Sequence, residues 1–281
     1  MTDTEPQAVQ VDKTSDGITT ITINRLHRRN AIDGPTGKKL TDAFLDFEND
    51  PTQKVCVFHG AHGTFCAGFD LHEVAKFNTG DTAAAYKGPI IDAAHRVEGR
   101  NIGPIGPSRM QIKKPVISAV SGHAVAGGLE LSLLGDIRVA DESAIFGVYC
   151  RRFGVPLIDG GTVRLPAIVG LGRALDMILT GRGVAAREAL EMGLANRVVP
   201  AGRALAEATA IARQLLAFPQ ACMNVDRASC YYSVYDASSF EDALRNEFDQ
   251  GVKVITTESV NGAARFSRGA GRHGAFEGAK L

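Results

Sequence analysis

Two stretches of this 281-residue chain run from β-forming residues through glycine into a new element, and they constrain the fold more than anything else in it. One is Phe58-His-Gly-Ala-His-Gly-Thr-Phe-Cys-Ala-Gly-Phe-Asp-Leu71. The other is Val120-Ser-Gly-His-Ala-Val-Ala-Gly-Gly-Leu129, which continues into the apolar run Leu129-x-Leu131-x-Leu133-Leu134. Glycine is a poor helix opener unless backbone must pass close to something else. Two strand-to-helix turns that leave N–H groups free and face one point would make a pair of amide donors, the usual way to hold an oxyanion. Glu130 stands among the leucines, where a carboxylate is costly to desolvate.

The rest of the chain supports an α/β reading. Ile18–Ile23 alternates with period two and reads as a strand, and Val55–Phe58, 114–120 and Ile137–Ala140 read as buried strands. Pro35–Asn49 reads as an amphipathic helix stopped near Asp50-Pro51. Beyond Gly161 the periodicity predicts helices at 173–180, 185–192, 203–216 and 239–257, interrupted by a strand within 194–199. The expected division is an α/β core over 1–200 and a helical region over 201–281. Lys87–Met110, with Gly-Arg-Asn-Ile-Gly-Pro-Ile-Gly-Pro-Ser-Arg inside it, reads as a mobile loop.

Lys and Arg number 31 and Asp and Glu number 31, a balance that argues against nucleic acid as a partner. The N-terminal Met-Thr-Asp-Thr-Glu-Pro lacks the apolar core of a signal peptide, and no apolar stretch is long enough to span a bilayer. Five irregularly spaced cysteines suit a reduced compartment, so a cytoplasmic protein without membrane partners is expected. His59, His62, Cys66 and His72 match no zinc spacing, and no metal is expected. Other glycine motifs fail on particulars. Ala119 and His123 replace the glycines a nucleophile elbow needs around Ser121, Leu129-Glu130 follows Gly128 where a phosphate loop needs Lys-Ser/Thr, and Gly170-Leu-Gly172 follows no strand.

Gly-Thr-Phe-Cys-Ala-Gly-Phe-Asp-Leu71 and the segment from Lys114 through Gly147 resemble the two signature segments of the crotonase superfamily, the enoyl-CoA hydratases and isomerases. Ile23-Asn-Arg-Leu-His-Arg-Arg-Asn-Ala-Ile32 resembles the family's first motif, and 160–200 its later helical segment. The likeness runs nearly continuously from Ile18 to Pro200. It implies a spiral of ββα turns with a C-terminal helical part that builds homotrimers, often paired as dimers of trimers. It also implies an enzyme of acyl-CoA and fatty acid metabolism, with the CoA thioester as substrate and no tightly bound cofactor. Hydration of a trans-2-enoyl-CoA, a lyase reaction, is the first expectation. A double-bond isomerase and a non-catalytic acyl-CoA binder are the alternatives.

The resemblance puts the oxyanion hole on the amides of Phe69 and Gly127 and the first catalytic glutamate on Glu130. A carboxylate in an apolar wall has a raised pKa and can act as base or acid; the alternative for Glu130 is a structural pair with Arg138 or Arg151. The family's second glutamate falls on Cys150, a thiol that is either catalytic or simply packed. Asp159 lies on the loop from which other branches draw an acid; its alternative is an N-cap for a helix starting near Gly160. Arg28, Arg29, Ala31, Ala67, Asp70, Leu71 and Gly128 match positions along the CoA, and Arg265, Arg268 and Arg272 are further phosphate candidates. The acyl pocket wall is expected between Phe77 and Met110.

Overall fold

A computed structural model describes residues 5–75 and 102–271, and the chain divides into two compact units, Met1–Ala212 and Arg213–Leu281. In the first, β1 (Val9–Lys13), β2 (Ile18–Ile23), β3 (Val55–Gly60), β4 (Val116–Val120), β6 (Ile137–Asp141) and β9 (Arg197–Val199) form one sheet in the order β1-β2-β3-β4-β6-β9. Only the β1–β2 pair is antiparallel. Strands β5 (His123–Val125), β7 (Ile145–Gly147) and β8 (Gly183–Ala185) form a second, small sheet. Parallel neighbours need crossovers, and the one from β4 to β6 passes through β5 of the small sheet. The chain leaves β4, adds β5, enters the short helix α3 (Gly127–Ser132), and returns as β6 and β7. This is the mixed α/β spiral that the sequence resemblance implies.

The remaining helices are α1 (Gly34–Asn49), α2 (Leu71–Ala75), α4 (Gly161–Val169), α5 (Leu171–Thr180), α6 (Ala186–Glu191) and α7 (Ala204–Leu216), the last running across the boundary between the units. Asp33 caps α1 by accepting from Thr36 N at 2.9 Å, and α1 buries Leu40, Phe44 and Phe47. Phe44 meets Phe58 edge-on, and Phe58 meets Phe65 the same way, so the core lies between α1 and the central strands. The second unit carries α8 (Gln220–Tyr235), α9 (Phe240–Val254), a wider helical turn at Ile255–Ser259, and α10 (Val260–Ser267).

Several expectations are corrected. The second glycine segment is not a plain strand-to-helix turn, because His123–Val125 forms a strand of its own before the helix. The helix read over 239–257 ends as a regular α-helix at Val254. Residues 103–110, part of the segment read as a mobile loop, are packed inside: Ile105 and Ser108 are fully buried, and Gly103 and Gly106 exchange N–H and C=O hydrogen bonds. The remainder of that segment, and most of the stretch expected to wall the acyl pocket, lies outside the described residues.

Candidate active site

The two glycine turns do meet. Gly68 has φ of +101°, and a Cβ there would press against Ala126 Cβ at 2.9 Å and Gly127 N at 3.0 Å, so only glycine lets the first turn close on the second. A Cβ on Gly127 would stand 3.4 Å from Phe69 N. Ala126, just before α3, holds φ of +54° and ψ of −125°, a conformation that costs an L-residue about 1–3 kcal/mol. It persists because Ala126 N donates to Gly147 O at 2.8 Å while Ala126 O accepts from Leu129 N. The Gly127 N–H has no acceptor among the described residues. Gly128 packs behind, where any Cβ would run into the Cys66 carbonyl.

Phe69 and Gly127 line an open cleft together with Ala67, Leu71, Glu130, Cys150 and Asp159. The sequence reading therefore brings most of its site residues to one place. The other walls are apolar: Pro104, Ala126, Tyr149, Phe153, Val155, Pro156 and Ile158.

Two carboxylates dominate the chemistry. Glu130 is 3% exposed, and its Oε1 accepts from Asp159 N at 2.9 Å and Gly161 N at 2.8 Å. Arg138 instead donates to the carbonyls of Leu194 and Gly135, and Arg151 to that of Ile178, so the structural ion pair considered for Glu130 does not form. Asp159 is 4% exposed. Its Oδ1 accepts from Ser108 Oγ at 2.5 Å and Ile105 N at 3.3 Å. It is not a helix cap: Gly160 occupies that position in front of α4 with no side-chain capping bond. The reason is register, since Asp159 turns back toward the 103–110 segment while its own amide serves Glu130.

Burial pushes Glu130 up to about 8, with the negative charge of Asp159 adding to the rise and the two backbone amides opposing it. Burial also raises Asp159, against the Ser108 hydroxyl, the Ile105 amide and the Arg109 charge. Burial thus favours the neutral form of both carboxyls, and the charge of Asp159 further disfavours ionisation of Glu130. Burial and the charge of Glu130 raise the Cys150 thiol, outweighing Arg151, so it stays neutral.

The proposed CoA positions separate into two groups. Ala67 and Leu71 line the cleft, but Arg28, Arg29 and Ala31 do not. They belong to a turn clamped onto the first glycine segment: Ala67 N donates to Arg29 O at 3.1 Å, and Ile32 N to Gly68 O at 2.8 Å. Asp70 points away from the cleft, 3.6 Å from Arg25 and 3.7 Å from Arg28. Burial would raise its pKa, but the His72 hydrogen bonds and the two arginines hold it below the ordinary value. Arg25, unnoticed in the sequence, is the buried centre of this support, donating to Glu5, Asp33 and the Ala31 carbonyl. Arg265 and Arg268 belong to the second unit, and Arg272 lies outside the described residues. His59 bonds Thr22, His62 bonds Asn24 and His72 bonds Asp70, and no metal-holding cluster occurs among the described residues. No helix of the described residues is long and apolar enough to cross a membrane.

Ser108, Ile105, Gly103, Gly161 and Arg109 are the site residues that sequence reasoning missed. The only signal was Gly103-Pro-Ile-Gly-Pro-Ser108 itself, glycines and prolines that mark a close-packed turn as readily as a mobile one.

The family model described as enoyl-CoA hydratase/isomerase matches residues 13–233. The enoyl-CoA hydratase EchA19 of Mycobacterium tuberculosis is 38% identical over 194 residues, 68% of each chain. A carnitinyl-CoA dehydratase of Salmonella arizonae is 36% identical over 201 residues, 70% of each. Among solved structures, an enoyl-CoA hydratase from Mycobacterium tuberculosis superimposes with a TM-score of 0.81 at 30% identity, covering 93% of this chain and 96% of that one.

Proposed function

Since the chain belongs to the enoyl-CoA hydratase/isomerase family, a lyase of acyl-CoA chemistry, we propose that it adds water across the double bond of a trans-2-enoyl-CoA, using Glu130 and Asp159 as its acid and base. The observation that carries this reading is that two buried carboxylates share one cleft with Phe69 and Gly127. Each carboxylate has one oxygen tied to protein donors, Glu130 through Oε1 and Asp159 through Oδ1. Glu130 Oε2 and Asp159 Oδ2 are the oxygens left for substrate.

In the proposed step the water oxygen bonds to C3 while its proton passes to the ionised carboxylate. The π electrons move to C2 and onto the thioester oxygen, whose charge the Phe69 and Gly127 amides would hold. The protonated carboxyl then delivers its proton to C2. The pair ends with its proton exchanged between members, and passing it back restores the starting state. Asp159 thus supplies the second carboxylate that Cys150 cannot.

A double-bond isomerase is the second reading, favoured by Cys150 itself: moving one proton between carbons needs one base, and Glu130 or Asp159 alone suffices. A panel of trans-2-enoyl-CoA and 3-enoyl-CoA substrates separates the two. Hydration of the first class is the expected result, and turnover of 3-enoyl substrates only would replace hydratase by isomerase. Tighter binding of acetoacetyl-CoA, an enolate mimic, than of free CoA is expected from the oxyanion hole, and equal affinity would remove it.

We also place the chain in a homo-oligomer, a trimer or a pair of trimers. On α9, Phe240, Leu244, Phe248 and Val252 recur every fourth residue and are exposed, Phe240 to 80% and Phe248 to 70%. Such a stripe is normally covered. All five cysteines are free, which supports the cytoplasm as the place of work.

A further inference from the structure

Asp159 is held by a segment far away in sequence, and that attachment is built with unusual care. Ser108 is fully buried, and its hydroxyl has a single proton, which it gives to Asp159 Oδ1 at 2.5 Å. Gly103 lies so close that any Cβ there would collide with both Asp159 Oδ1 and Ser108 Oγ. The Ser108 backbone is fixed from outside by Arg164, which donates to the carbonyls of Ser108 and Met110. Its neighbour Arg109 donates twice to the carbonyl of Ile158, the residue before Asp159, at 2.9 and 2.7 Å. Two arginines thus bolt the turn and the Asp159 loop together, and the hydroxyl completes the join.

We propose that Ser108 is a positioning residue that sets the roles within the acid pair: it keeps Asp159 the unprotonated base, with Oδ2 turned to the cleft, and so leaves the proton on Glu130. The chemistry follows from the donors. A hydroxyl that donates to Oδ1 rewards the anion, because charge-assisted hydrogen bonds are about twice as strong as neutral ones. Asp159 also receives the Ile105 amide on the same oxygen, so both donors favour its ionised form. Glu130 receives amides only, and beside it stands the charge of Asp159, which favours its neutral form. Of the influences that hold the Asp159 pKa down against burial, the Ser108 hydrogen bond is the largest. No other hydroxyl donates to either acid among the described residues.

This assignment rests on the pair acting as acid and base, so its test has one arm that needs turnover and one that does not. Ser108→Ala removes one oxygen and the bond, while the arginine bolts, which use backbone carbonyls, remain. The acid limb of the kcat/KM profile is expected to move up by about one pH unit, with activity partly recovered at high pH and KM little changed. Ser108→Thr, which keeps the hydroxyl, should return the limb toward its original place. In the second arm, ¹³C NMR of labelled aspartate, with Asp159 assigned by loss of its signal in Asp159→Asn, follows the carboxyl directly. Its titration should shift upward in Ser108→Ala. An unmoved Asp159 titration in a folded Ser108→Ala protein would overturn the proposal whether or not the enzyme turns over. A shifted titration with no turnover of any enoyl-CoA by the wild type would instead leave Ser108 in its role and sink the hydratase reading.

Discussion

The backbone amide of Asp159 donates to Glu130 Oε1 at 2.9 Å, while the side chain of the same Asp159 turns the other way, to Ser108. One residue therefore anchors the first acid with its main chain and presents the second acid with its side chain. Twenty-nine positions separate the two in sequence. Their spacing in the cleft is set from two sides, by the turn ahead of α4 and by the 103–110 segment that holds the Asp159 side chain. Two carboxyl groups therefore reach one cleft although Cys150, which also lines it, supplies none.

Glu130→Gln keeps the shape and one acceptor oxygen for the Asp159 and Gly161 amides, but cannot carry the exchangeable proton. Turnover of a trans-2-enoyl-CoA should fall by about two to four orders of magnitude with KM little changed. Steady-state kinetics across pH checks this, and near-normal turnover would make Glu130 structural.

The same substitution should stabilise the fold at neutral pH. Glu130 and Asp159 both have folded-state pKa values raised above their unfolded ones, by burial first. Between the unfolded carboxylate range and about 8, the folded protein binds more protons than the unfolded chain, so the contribution of the pair to stability falls as pH rises through that window and is flat above it. Glu130→Gln removes the cost of a buried ionising group, and we expect a gain of about 2 kcal/mol at pH 8 that vanishes near pH 4. Thermal melts of both proteins from pH 4 to 9 read the difference directly. A constant difference across that range would contradict the linkage.

Much of this architecture is legible in the sequence, where local pattern decides structure. Ile18–Ile23 alternates cleanly and forms a strand over those same residues, and the helix read from Pro35 starts one residue earlier, at Gly34. The strands at 123–125, 145–147 and 183–185 pass unnoticed because three residues cannot display a period. The Gln220–Tyr235 helix is missed because it has no apolar stripe; Ser229 is its one buried residue. Glu130, Cys150, Asp159, Phe69 and Gly127 are readable because they sit in segments that resemble known motifs. Ser108 and Gly103 are not, since their meaning arises only on contact with a residue more than fifty positions later. Asp159 shows the limit of local reading: an acid just before a helix is a good cap by sequence, yet tertiary contacts claim it for another purpose.

Gly161 opens α4 directly against Glu130, and a Cβ there would lie 2.9 Å from both Glu130 Cγ and Oε1. Gly161→Ala improves helix propensity by up to about 1 kcal/mol but displaces the carboxyl. Turnover should drop at least about tenfold while the melting temperature stays within a few degrees, because misplacing a catalytic group by a fraction of an ångström is costly. A large loss of stability with proportionate loss of activity would point to packing instead.

The stripe on α9 predicts a change of assembly. Phe248→Glu places a charge in the middle of the exposed row Phe240, Leu244, Phe248 and Val252. If that row is the face covered by other copies, the variant should sediment as a smaller species than the wild type at equal concentration. An unchanged mass would remove α9 from the interface.

The last prediction sets Cys150 against Asp159. Both line the cleft, but the thiol is neutral and held so by burial and by Glu130, whereas Asp159 is tied by two donors with one oxygen to spare. Asp159→Asn should therefore cut hydration by about two to four orders of magnitude at nearly constant melting temperature, since Asp159 caps no helix and its loss leaves α4 intact. Cys150→Ser should leave the rate within about threefold, because a small neutral side chain is exchanged for another. Cys150→Glu would add a third carboxylate beside two buried ones, raising the mutual repulsion, so it should slow hydration rather than improve it. Kinetics and melts on the three variants are decisive together. Abolished activity in Cys150→Ser, or faster hydration in Cys150→Glu, would return the second acid's role to position 150 and leave Asp159 as a support for Glu130.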